Sequence, residues 1–144
     1  MVDLKPIAER RPKKKPGPEH ILLVRWMWEK HRTFLQWRQP RLGVLPTKQL
    51  SKLYAVKLRR ADAIILREGI VLIVEVKIEP NANAIGQLLL YKDLFHNTPE
   101  FDPVRSWPIK LILLTTKMDF AIQELALKNN IDYVIFVPPE EISS

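Results

Sequence analysis

The chain has no cysteine, four glycines and three histidines in 144 residues, and each scarcity removes a class of chemistry. Without cysteine there is no disulfide framework, no thiolate nucleophile and no cysteine-held zinc or iron–sulfur site. Three scattered histidines do not make an all-histidine metal cage, so any metal must sit on carboxylates. The glycines (Gly17, Gly43, Gly69, Gly86) stand too far apart for a Walker A loop or for G-x-G-x-x-G, which excludes phosphate cradling by a glycine loop. No apolar run approaches the ~20 residues that cross a bilayer, so no membrane contact is expected. The first 18 residues lack the continuous apolar core of a secretory signal, and with the missing cysteines this predicts a cytoplasmic setting.

Positive charge is plentiful and unevenly placed. The net charge is +7, yet residues 1–60 carry 16 basic and 4 acidic side chains, net +12, whereas residues 61–144 carry 7 and 12, net −5. A basic half of this strength concentrates polyanions and releases their counterions, the electrostatic footprint of nucleic-acid binding; the competing reading is a lysine-rich soluble surface. Six of the basic residues and four prolines fall in residues 1–18, with few large apolar side chains. Such a segment cannot bury enough surface to order itself and reads as a basic, Pro-rich N-terminal arm ahead of a single domain over 19–144.

From Glu19 to Trp37 the apolar residues Leu23, Val24, Met27, Trp28, Phe34 and Leu35 recur at helical spacing, which predicts one helix ended by Pro40 and Gly43. Residues 54–66 and 70–79, rich in Val, Ile and Ala around Arg67-Glu68-Gly69, predict a β-hairpin. A helix capped by Asn81 or Asn83 runs through Phe95, a Pro-containing loop reaches Pro108, and 110–116, 119–129 and 132–137 read as strand, helix and strand. The order is α-β-β-α-β-α-β, an α/β architecture with parallel pairing of the last two strands.

With Glu68-Gly69 as a two-residue turn, cross-strand partners place Asp62 opposite Glu75, their Cβ atoms about 4.5–5.5 Å apart. Two carboxylates face to face in an apolar sheet repel and lose hydration, a cost that a divalent cation removes. Lys77, two residues beyond Glu75, points to the same side and can act on the metal's water. Two alternatives stand beside this reading. One is a solvated Glu75-Lys77-Glu79 charge ladder on an exposed face; the other is a bulge at Gly69 that shifts the register by one.

The segment "RRADAIIL", the thirteen-residue step from Asp62 to Glu75, "EVK", and then "GQLLLY" resemble the PD-(D/E)xK nuclease superfamily. The resemblance implies a restriction-endonuclease-like α-β-β-β-α-β core, a central mixed sheet flanked by helices. It also implies Mg²⁺- or Mn²⁺-dependent hydrolysis of DNA phosphodiesters, with Asp62, Glu75 and the Val76 carbonyl as metal ligands and Lys77 assisting the attacking water. The Gln87-x-x-x-Tyr91 pair resembles the additional motif of the RecB-like branch and is assigned, with Arg60, to the substrate. Many members add an acid from the first helix, for which Glu19 and Glu29 both qualify. Ala61 stands where the name-giving proline would be. Small members encoded by phages or archaeal viruses often act as homodimers, so a homodimer is expected, in the host cytoplasm if the chain is virus-encoded. The alternative from another class is a catalytically silent DNA-binding or assembly module that keeps the nuclease fold.

Among other residues, Trp26, Trp28 and Trp37 are assigned to core packing, with base stacking as the alternative. His20, His31 and His96 read as surface or capping histidines, although His20 is kept as an upstream candidate. Glu79 reads as a solvated strand end.

Overall fold

The computed structural model describes residues 16–44 and 59–139, together with Leu4, Thr47 and Gln49. Helix α1 (Pro18–His31) starts with Pro18 in its first turn, where a missing N–H costs nothing, and buries Leu22, Leu23, Trp26 and Met27. The helix expected as far as Trp37 ends at His31: Leu35–Arg38 is strand β1. Two forces decide this. The Gln36 amide donates to the carbonyls of His31 (2.7 Å) and Phe34 (3.2 Å), closing a turn after the helix, and the following residues gain a sheet partner. The register runs from Leu35 opposite Leu66 to Arg38 opposite Ala63.

A short pair, β2 (Arg41–Leu42) with β3 (Arg59–Arg60), precedes the hairpin β4 (Ala63–Arg67) and β5 (Ile70–Val76). Glu68 and Gly69 both have positive φ, 52° and 78°, as a type I′ turn requires, and Arg67 pairs with Ile70 as expected. The expected first hairpin strand is interrupted at Ala61–Asp62, and residues 54–58 lie outside the described residues. Helix α2 (Ala82–Phe95) is capped by Asn81, whose side chain accepts from the Ala84 N–H. A 3₁₀ turn (Pro99–Val104) leads to β6 (Ile109–Thr115). Helix α3 (Phe120–Lys128), capped by Asp119, then returns to β7 (Ile131–Ile135).

The sheet order is β1-β4-β5-β6-β7, antiparallel through β5 and parallel thereafter. Period-two alternation splits its side chains into two cores. Ile64, Leu66, Val71, Ile73, Leu111 and Leu113 face α2 and α3, while Ala63, Ile65, Leu72, Val74, Ile112 and Leu114 face α1. The result is an α/β sandwich of helices around a mixed five-stranded sheet. Leu4 packs against the first of these cores, so the arm expected to extend freely has at least one anchor; the rest of residues 1–15 lies outside the described residues. Among the described residues no helix is long and apolar enough to cross a membrane.

His31, expected at the surface, is 7% exposed, edge-on to Trp26 and with Nδ1 3.1 Å from an Arg67 guanidinium nitrogen. Burial, then the Arg67 and Lys30 charges, pull its pKa down to about 4, so it is a neutral core residue. Trp26 is buried and Trp37 packs edge-on against Phe101, both as expected. Trp28 is instead 67% exposed, with the Arg32 guanidinium over its ring.

Candidate active site

Asp62 and Glu75 stand at the end of the face covered by α2. Glu75 continues the Val71, Ile73 row of β5 and is 5% exposed. Asp62 sits at a bend just before β4, where its N–H donates to the Val74 carbonyl (3.1 Å) and Ala61 turns into the α2 core. Its carboxylate is held from two sides: Oδ2 accepts from the Val76 N–H (2.8 Å) and Oδ1 from the Gln39 side-chain amide (3.1 Å).

Both carboxyls have pKa values raised chiefly by loss of hydration. In Glu75 the Asp62 charge adds to the burial; in Asp62 the hydrogen bonds from Val76 and Glu75 and the Lys77 charge pull the other way. Burial and the Asp62 charge thus favour the protonated form of Glu75 in the metal-free protein. Lys77 leaves the end of β5 with its N–H on the Leu114 carbonyl, and its ammonium favours the ionised form of both acids. The Tyr91 hydroxyl approaches Glu75 from α2, and its own pKa is driven up by burial and the two acids. One turn earlier on the same helix, Gln87 Oε1 is buried without a hydrogen-bond partner among the described residues, as is Glu75 Oε2. Orphaned buried oxygens are costly, about 1–3 kcal/mol each, unless a ligand satisfies them.

Asp62, Glu75, Lys77 and Tyr91 thus lie together, and Gln87 stands one turn before Tyr91 on α2. Arg60 is one residue removed, its Nη1 donating to the Gln39 carbonyl (2.7 Å). Val76 enters through its amide on Asp62, and its side chain faces the α1 core. The upstream acids are not brought here: α1 packs on the opposite sheet face, Glu29 is exposed, and among the described residues no third Asp, Glu or His joins the pair. His20 lies 3.5 Å from an Arg38 guanidinium nitrogen, and Glu79 is exposed and paired with Lys117. Sequence reasoning missed Gln39, whose contact with Asp62 spans 23 positions and has no local pattern.

No family model matches the chain, and no curated protein matches it. Among solved structures it is similar to a repair endonuclease from Pyrococcus abyssi, with TM-score 0.55 and 14% identity over 88% of this chain and 50% of that one. It is also similar to the protein in an EndoMS–dsDNA2 complex, with TM-score 0.52 and 15% identity over 93% and 51%. The mixed five-stranded sheet with its flanking helices is a fold shared with these two solved structures. The chain spans about half the length of these neighbours, and at such identities the likeness is one of architecture.

The donor set fits a hard divalent cation: oxygen atoms only, two acids that repel when both are ionised, and a carboxyl oxygen without a hydrogen-bond partner among the described residues. A pH prediction follows for the metal-free protein. An acid whose pKa is raised by folding keeps its proton after the unfolded chain has released it, so stability falls as pH rises above the ordinary carboxylate value of about 4.3. The opposite contribution of His31, whose pKa is lowered, is complete above its ordinary 6.5. In chelator, the melting temperature should therefore decline from pH about 6.5 upward until Glu75 ionises, more steeply than in Glu75→Gln. Thermal unfolding of the two proteins in parallel checks this; identical slopes would show that Glu75 ionises normally.

Proposed function

We propose that the chain is a divalent-metal-dependent DNA nuclease, acting as an endonuclease, with Asp62, Glu75 and Lys77 as its catalytic set. The observation that carries the reading is buried Glu75 set against half-buried Asp62, with Lys77 beside them and Glu75 Oε2 without a hydrogen-bond partner among the described residues. Asp62 and Glu75, with the Val76 carbonyl as a further oxygen, would hold Mg²⁺ or Mn²⁺. When bound, that ion supplies charge to the phosphoryl oxygens and acidifies a water. Lys77 orients the attacking water and opposes the negative charge that develops as it adds to phosphorus. Gln87 and Tyr91 on α2, and Arg60 beside Gln39, would fix the phosphodiester. The apolar core on this face of the sheet, which includes Ile73 on the same row of β5, lowers the local dielectric around Glu75 and strengthens its interactions.

Cleavage of a panel of labelled DNAs (duplex, nicked, flap, junction and single strand) with Mg²⁺ and in chelator tests the proposal. Metal-dependent products from any of them support it. Equal binding in both conditions without products would favour the silent DNA-binding module.

The basic arm is assigned to phosphate contacts, each of which adds about 0.9 to the log–log salt slope on duplex DNA. Because Leu4 is anchored in the core, the informative variant keeps it and replaces Arg10, Arg11, Lys13, Lys14 and Lys15 by Ser. The slope should flatten by about two or more and low-salt affinity should fall, with turnover on saturating DNA within about twofold of wild type. A DNA-binding titration across salt concentrations measures this, and an unchanged slope would remove the arm from the interface.

A further inference from the structure

We propose that Gln39 is a positioning residue that aims Asp62 at the cation, an inference that rests on the metal-site reading above. Gln39 follows β1 with φ 55°, a left-handed backbone that costs a non-glycine residue roughly 1 kcal/mol or more and persists only where its surroundings over-determine it. Three hydrogen bonds do so. Its N–H donates to the Asp62 carbonyl (2.9 Å), its carbonyl accepts from Arg60 Nη1 (2.7 Å), and its side-chain amide donates to Asp62 Oδ1 (3.1 Å). The backbone pair ties the end of β1 to the bend at Asp62, and the left-handed turn sends the amide back onto the carboxylate.

Asp62 Oδ2 is already engaged by the Val76 N–H at 2.8 Å. Each carboxylate oxygen offers two lone-pair directions, and the two donors occupy one on each. The carboxylate plane is then fixed before any ion arrives, with its remaining lone pairs free for Glu75 or a cation. Without the Gln39 donor the group keeps one tether and can swing about it. Partners that orient a ligand in this way are worth about 10–100-fold in metal affinity.

Gln39→Gly removes the side-chain donor alone, because glycine adopts the left-handed backbone without strain and keeps both main-chain bonds. Mn²⁺ binding to the full chain, measured by calorimetry, should weaken about tenfold while the melting temperature in chelator holds or rises. DNA cleavage should fall at limiting Mg²⁺ and recover to within about twofold at saturating Mg²⁺, since the loss lies in ligand orientation. Gln39→Asn, which retains a carboxamide and tolerates this backbone, should bind Mn²⁺ with intermediate affinity. Wild-type Mn²⁺ affinity in Gln39→Gly overturns the inference, as does a loss of affinity matched by a lowered melting temperature in both variants. A wild-type chain that binds no Mn²⁺ overturns the metal-site reading itself.

Discussion

Glu75→Gln and Asp62→Asn are each expected to reduce Mg²⁺-dependent DNA cleavage by about a thousandfold or more, some 4 kcal/mol of lost transition-state stabilisation. Both changes preserve shape and remove a ligand's charge. Glu75→Gln also imitates the protonated carboxyl that burial and the Asp62 charge favour in the metal-free protein. It should therefore fold as well as wild type at neutral pH while losing Mn²⁺ binding, because the amide offers one neutral oxygen where a charged carboxylate would form. Asp62→Asn leaves an acceptor for the Val76 N–H but sets an amide against the Gln39 donor, so a modest loss of stability, about 1–2 kcal/mol, accompanies the loss of cleavage. Cleavage assays beside thermal unfolding separate the two effects. Turnover at the wild-type rate in either variant would place the chemistry elsewhere.

The second large effect is on Lys77. Lys77→Met keeps the stem's volume and removes the ammonium, and kcat should fall about 10²–10³-fold, the loss seen when one preorganised donor to a developing anion is deleted. Mn²⁺ affinity should change far less, within about threefold, since Lys77 contributes no ligand atom and its charge acts on Asp62 and Glu75 from the side. Single-turnover cleavage at saturating metal, paired with Mn²⁺ calorimetry, measures the split. A variant that loses metal binding along with rate would mark Lys77 as a structural support of the pair.

The parts of the site that repeat with a local period were legible in the sequence. Asp62, Glu75 and Lys77 follow from a two-residue turn and strand alternation, and the observed register of Leu66 with Val71 and Ala63 with Val74 matches the expected one. Gln87 and Tyr91 follow from helical spacing on a correctly capped α2. What was not legible depended on distant partners. The apolar spacing through Phe34 and Leu35 continues a helix until β4 supplies an edge, and β1 forms there; it completes the three-strand sequence that the superfamily resemblance implied and the hairpin reading lacked. The chain bends at Asp62, which sets Ala61 in the α2 core and turns the Asp62 carboxylate toward Val76 and Gln39, contacts that no local period announces. His31 is drawn inside by Arg67, 36 residues away in sequence. The first-helix acids fell on the wrong side because nothing in a helix's own periodicity states which sheet face it will cover.

Nicking of supercoiled plasmid by the wild-type chain in Mg²⁺, in chelator, and by identically purified Asp62→Asn in Mg²⁺ tests the central claim most directly. Open-circular and linear products are expected in the first reaction and none in the other two. Equal nicking by the variant, or nicking that persists in chelator, would contradict it.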